Sequence, residues 1–202
     1  MIKKIHNFKF VIRNCQKGMT YVELIVVLSI FAVMSSIVLF NHGKFQAKVD
    51  IKNLANDIAL KIVQAQKDAM SGKIPVQTIG DSWRPSYGVY FDLSYPKSFI
   101  YFADSNNNNY YDYDSTLDTI PIIKNNTISN LEVIGCSPTE SPTEVANLSI
   151  VFKRPDSGAL INNLTGTFSC DTIEYAKITV SSSDDSFKGY IKIYPSGRIQ
   201  VN

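Results

Sequence analysis

The sequence predicts an α+β protein, in which one long N-terminal helix packs on a mainly antiparallel β-sheet domain. Three observations carry this. Residues 24–40 are an apolar run of seventeen positions without a charge. Beyond it Ile51, Ala55, Ile58, Ile62, Ala65 and Ala69 recur every three or four residues, the period of a helix with one buried face. After Pro75 the period switches to two, in short segments rich in Val, Ile, Tyr and Phe separated by turn formers.

The chain has 202 residues, of which 45% are hydrophobic and 19% charged, enough apolar surface to build a core and exclude wholesale disorder. Its net charge of +2 is unevenly placed. Lys3, Lys4, Lys9, Arg13 and Lys17 precede the first acid, and the other fifteen Lys and Arg face eighteen Asp and Glu. A body with a net charge of about −3 is a poor electrostatic partner for nucleic acid.

Taken in order, the basic leader of residues 1–18 comes first. The positive-inside rule predicts that it stays in the cytoplasm while the rest is delivered outside. Residues 19–40 follow with Glu23 as their only ionisable side chain. As a helix they are about 33 Å long, close to the hydrocarbon thickness of a bilayer. A secretory signal peptide or plain signal anchor also fits this hydropathy. However, the residues 40–45 offer no small-residue pattern for a signal peptidase. Glu23, one turn inside the apolar segment, costs about 1–3 kcal/mol in lipid and calls for a partner from elsewhere.

The stretch Lys17-Gly18-Met19-Thr20-Tyr21-Val22-Glu23-Leu24-Ile25 resembles the prepilin signature of type IV pilins and type II secretion pseudopilins. The resemblance implies a cut by prepilin peptidase between Gly18 and Met19 and methylation of the new terminus at Met19. It also implies that Glu23 pairs with the terminal amine of a neighbouring subunit. Removing one member of such a desolvated pair typically costs about 3–5 kcal/mol. Departures from the family pattern are Met19 in place of the commoner Phe, Tyr21 where an aliphatic residue is usual, and Phe40 where many major pilins have proline. The implied partners are other pilin-like subunits, the peptidase, the inner-membrane assembly platform and membrane lipid. The implied location is the cytoplasmic membrane, single-pass, and then a pilus or pseudopilus.

Residues 41–72 read as an amphipathic continuation of the helix, with Gly43 the one flexible point and Ser71-Gly72 followed by Pro75 as its stop. A break into two helices at Gly43 is the alternative. Residues 73–202 form the β-rich domain, with strands expected over 87–93, 98–103, 119–123, 131–135, 148–154, 174–181, 187–194 and 198–201, the last three as an antiparallel meander. Tyr87-Gly88-Val89-Tyr90-Phe91, Tyr101-Phe102-Ala103-Asp104, Val151-Phe152 and Ile191-Lys192-Ile193-Tyr194-Pro195-Ser196-Gly197-Arg198-Ile199 are similar to stretches of minor pseudopilins, the type II secretion H subunit and the fimbrial T subunit. That subgroup implies a structural role; a major pilin and an uncleaved, membrane-anchored binding module are the alternatives.

Catalytic chemistry finds little footing. His6 and His42 are the only histidines and precede the β-rich domain, which removes His-based triads and His-ligated zinc from it. Asp184, Asp185, Glu140 and Glu144 lie in polar stretches that read as wet surface. No cofactor is required. The segment 104–115 holds oxygen side chains at the spacing of a calcium loop, with Asp104, Asn106, Asn108 and Asp112 as candidate ligands and Asp114 or Asp118 to close the shell. Asn109 stands where such a loop has glycine, and Ser115 where it has a bidentate Glu. An ion-free, Asn-rich hairpin loop is the alternative. Cys136 and Cys170 are an even pair in a domain expected outside the cytoplasm, which favours a disulfide over two free thiols. It closes a loop of about 34 residues and contributes roughly 3–4 kcal/mol.

Overall fold

The computed structural model describes residues 18–75, 85–135, 142–163, 166–167 and 172–202. One helix, α1 (Tyr21–Ser71), precedes eleven strands: β1 (Ser86–Asp92), β2 (Ser98–Asp104), β3 (Thr116–Pro121), β4 (Thr127–Ile134), β5 (Thr143–Glu144), β6 (Asn147–Phe152), β7 (Ala159–Asn163), β8 (Gly166–Thr167), β9 (Tyr175–Ser181), β10 (Lys188–Ile193) and β11 (Ile199–Val201). The chain divides into a unit ending at Gly43 and a second unit, Lys44–Asn202.

In the first unit α1 starts from a side-chain cap. Thr20 Oγ1 accepts the Glu23 N–H at 3.3 Å, and the Leu24 N–H closes on the Thr20 carbonyl at 3.1 Å. Threonine suits this position because its hydroxyl satisfies an amide that the helix cannot. Helical geometry continues through Gly43.

In the second unit the remainder of α1 supplies a stripe to a core shared by two antiparallel sheets. The first sheet has the order β3-β2-β1-β6-β7-β8, the second β11-β10-β9-β4-β5. All six expected stripe residues, Ile51 to Ala69, are buried together with Ala59. They meet Tyr87, Val89 and Phe91 of β1, Leu148, Ile150 and Phe152 of β6, and Ile178, Val180, Ile191 and Ile193 of β9 and β10 in one cluster. Gly189 permits the close approach of helix to sheet, since a Cβ there meets Ile51 Cγ2 at 3.1 Å and Ala55 Cβ at 3.4 Å.

Polar ties fix the helix along its length. Lys124, between β3 and β4, pairs with Asp50 at 2.7 Å. Gln66 donates to the Ser157 carbonyl at 2.8 Å. Asp68 accepts from Tyr101 of β2 at 2.6 Å and from Lys73 at 2.8 Å, and the Tyr87 hydroxyl donates to the Lys73 carbonyl at 2.9 Å.

The eight expected strands form, with the last three as the expected meander. The domain is two sheets where one was expected, and three strands were not expected. β5 and β8 are two residues each, and β7 reads Ala-Leu-Ile-Asn-Asn. Their sequences carry little strand preference, and β7 forms because β6 offers it an edge. β3 lies three residues earlier than the spacing indicated, because β2 runs on to Asp104 and recruits Thr116 across a bulge.

Asp68 generates a testable pH dependence. Burial pushes its carboxyl up, but hydrogen bonds from Lys73 and Tyr101 outweigh that and hold it below the ordinary 3.8. The stabilisation is therefore present above pH 3.8 and fades as pH falls through the lowered folded value. Tyr101→Phe is expected to cost about 1.5–3 kcal/mol in urea unfolding at neutral pH. The cost should shrink as pH falls below 3.8 and the carboxyl takes up its proton.

Candidate functional site

The residues singled out at the N-terminus stand at the head of an uncovered helix. Gly18 and Met19 precede the cap, and Met19 is 62% exposed. Glu23 is the third helical residue and the only acid of the first turn, where the positive end of the helix dipole favours a carboxylate. Among the described residues no cation pairs with it. Leu24, Ile25, Val26, Val27 and Leu28 are each about half exposed, and none of the most apolar eighteen-residue window is buried. The helix is long and apolar enough to cross a membrane. Thr20-x-x-Glu23 is also a capping-box sequence, a role for Thr20 that the apolar run obscured.

The Asn-rich segment after β2 adopts a tight, self-bonded loop. Asp104 is buried, and its two carboxylate oxygens accept the N–H groups of Asn108 at 3.2 Å and Asn109 at 2.9 Å. Asn109 takes the left-handed conformation expected of it, φ 67°, as does Asn107 at 61°. Asn106 and Asn108 donate their side-chain amides to one oxygen of Asp112, at 2.7 and 2.6 Å. Four candidate ligands, Asp104, Asn106, Asn108 and Asp112, thus converge. Asp114 is exposed in a 3-10 turn over Tyr113–Ser115 and makes no hydrogen bond to the other four. Burial pushes the Asp104 carboxyl above its ordinary value despite three backbone N–H donors, and the nearby Asp112 adds to the shift.

These bonds satisfy most of the loop's polar groups from within, although Asn109 Oδ1 is buried without a hydrogen-bond partner. Amide N–H donors already occupy the Asp112 oxygen that faces Asn106 and Asn108, so a cation there would have to reorient both amides. Among the described residues no group of three or more His, Cys, Asp or Glu is placed to hold a metal.

The loop also has a packing role that the oxygen spacing did not indicate. It folds back over the outer face of the first sheet, where Tyr111 stacks on Tyr90 at 4.5 Å between centroids and meets Phe102 edge-on at 5.4 Å. Asn162 of β7 donates to the Asn109 carbonyl at 2.7 Å and holds the loop down. Tyr90, Phe102, Tyr111 and Val151 form a second small core. Gly88 lies beneath it, where a Cβ would stand 2.6 Å from the Phe102 ring and 2.7 Å from the Ile150 carbonyl. Alternation in β1 already put Tyr90 on the face opposite Tyr87, Val89 and Phe91; an aromatic on that face was the available sign of a cover.

The remaining expected acids behave as surface groups. Asp184 accepts from the Ser182 and Ser186 hydroxyls, which lower its carboxyl to about 2, and Glu144 accepts from Asn130 at 3.1 Å. Cys136, Cys170 and Glu140 lie outside the described residues, as does the basic leader before Gly18. Comparison with protein-family models, curated proteins and solved structures finds no match.

Two measurements test the loop. Tyr111→Ala removes the aromatic cover and is expected to cost about 3 kcal/mol or more by urea unfolding, as large-to-small changes in cores do. Thermal melts in calcium and then in chelator should coincide. A rise in Tm with calcium would show the two asparagine amides giving way to a cation.

Proposed function

We propose that the chain is a minor pilin or pseudopilin, a structural subunit of a type IV pilus or type II secretion pseudopilus. In this reading prepilin peptidase cuts between Gly18 and Met19, and Met19 is methylated. The subunit waits in the cytoplasmic membrane with its β-rich domain outside. It is then drawn by the assembly platform into a filament of other pilin-like subunits. One observation carries the proposal: an exposed apolar helix opens, one residue after the Gly18-Met19 bond, on a threonine cap and a lone acid in its first turn. The cut gives a cationic chain end, and Glu23 of an adjacent subunit neutralises it. The role is structural and not enzymatic, in keeping with a β-rich domain that has no histidine.

Glu23→Ala tests this. The variant should still insert and lose its leader, because neither step uses the carboxylate. Subunit-to-subunit crosslinks and recovery in sheared filaments should be lost, since a buried partner left alone costs about 3–5 kcal/mol. Normal assembly of the variant would overturn the proposal. A filament built of this chain alone would instead favour a major pilin.

A further inference from the structure

The first sheet ends on β3, which pairs with β2 on one side; among the described residues no strand pairs with its other side. The Ile122 N–H donates to the Lys97 carbonyl at 2.7 Å. By the alternation of an antiparallel ladder, the N–H and C=O of Thr119 then turn away from β2. Thr119 is exposed. Edge strands are commonly blunted by lysine, proline or a bulge. Here the bulge lies before Asp118 and Pro121 comes at the end, so the stretch from Asp118 to Ile120 is left open.

The two faces flanking this edge differ in chemistry. On the core side, a groove of about 380 Å³ runs between α1 and β3, lined mainly by apolar residues such as Leu54, Leu60, Ile120 and Ile123, with Asp57 and Lys61 of α1 also on its wall. Leu60 is 65% and Ile123 68% exposed, large apolar side chains without cover. On the outer side, beyond the Tyr111 loop, lies a cleft of about 580 Å³ lined by Tyr90, Tyr95, Tyr111 and Tyr113 with Asp92 and Asp112. No lysine or arginine lines it, and neither aspartate belongs to an ion pair among the described residues. Tyr113 is 87% exposed. Aromatic faces beside uncompensated carboxylates attract organic cations.

A strand added to β3 would send successive side chains to opposite faces. We propose that the open edge of β3 binds an extended segment of another protein in which apolar residues alternate with lysine or arginine. The main chain pairs with Thr119, the apolar residues enter the groove beside α1, and the cations lie over the tyrosines of the outer cleft. Strand addition of this kind takes affinity from backbone bonds and specificity from side-chain pockets. The proposal stands apart from the filament reading, since it uses neither Glu23 nor the apolar helix.

The test uses the full chain in a non-ionic detergent and three fluorescent octapeptides: alternating Val-Lys, alternating Val-Glu, and four Val followed by four Lys. The alternating basic peptide should bind and protect the Thr119 amide from hydrogen exchange. Thr119→Pro, which removes the outward N–H, should abolish binding. Tyr113→Ala, at a site too exposed to affect folding, should weaken it by about tenfold, and added salt should weaken it further. Equal binding of the acidic or block peptide, or binding unchanged by either substitution, would overturn the proposal. So would a Thr119 amide already protected without peptide, because the edge would then be covered by the chain itself or by a second copy.

Discussion

Eleven apolar side chains between Leu24 and Val38 are 46–68% exposed along α1, and the proposed reading turns on what covers them. In water each square ångström of such surface is unfavourable by about 25 cal/mol, and in the proposed reading lipid or other helices take it. Lipid satisfies the side chains but not the acid in their first turn. Helices packing in a membrane gain nothing from hydrophobic burial against one another and depend on shape and on polar contacts. On the proposed filament reading, a single carboxylate therefore has disproportionate weight in choosing a neighbour. The dipole at the helix start favours its charge, and the threonine cap fixes the turn that presents it.

The second unit solves the opposite problem. Its part of α1 meets two sheets with a stripe of only isoleucine and alanine. The small alanines and Gly189 let the backbones approach closely, and the three polar ties at Asp50, Gln66 and Asp68 set the helix position that a smooth apolar stripe leaves undetermined. The outer face of the first sheet is closed differently. A loop whose asparagines adopt left-handed conformations wraps around the buried Asp104 and places one tyrosine over another. Its asparagines turn the chain tightly, and Asp104 and Asp112 accept the amides that hold the turn.

Local pattern revealed much of this architecture. The apolar run, the three-four stripe and the alternating segments each depend on near neighbours, and every stripe residue named from the sequence is buried. What was not legible depends on distant partners. β5, β7 and β8 exist because longer strands offer them an edge, and the division into two sheets is decided by which strands pair. The candidate site divides the same way. The left-handed Asn109 was readable from residue type and position, while Gly18, Met19 and Glu23 were singled out by resemblance to a prepilin signature and their roles belong to the proposal. The amide bridges to Asp112 and the cover formed by Tyr111 required the fold-back of the loop onto β1, which no spacing in the segment encodes.

The most direct measurement is the intact mass of the protein extracted from the membrane, with sequencing of its first residues. The account predicts a chain that begins at Met19 and carries one methyl group on its amine. A chain that still begins at Met1 would have no cationic end beside the apolar helix, Glu23 would be left without its partner, and the account of assembly would be contradicted.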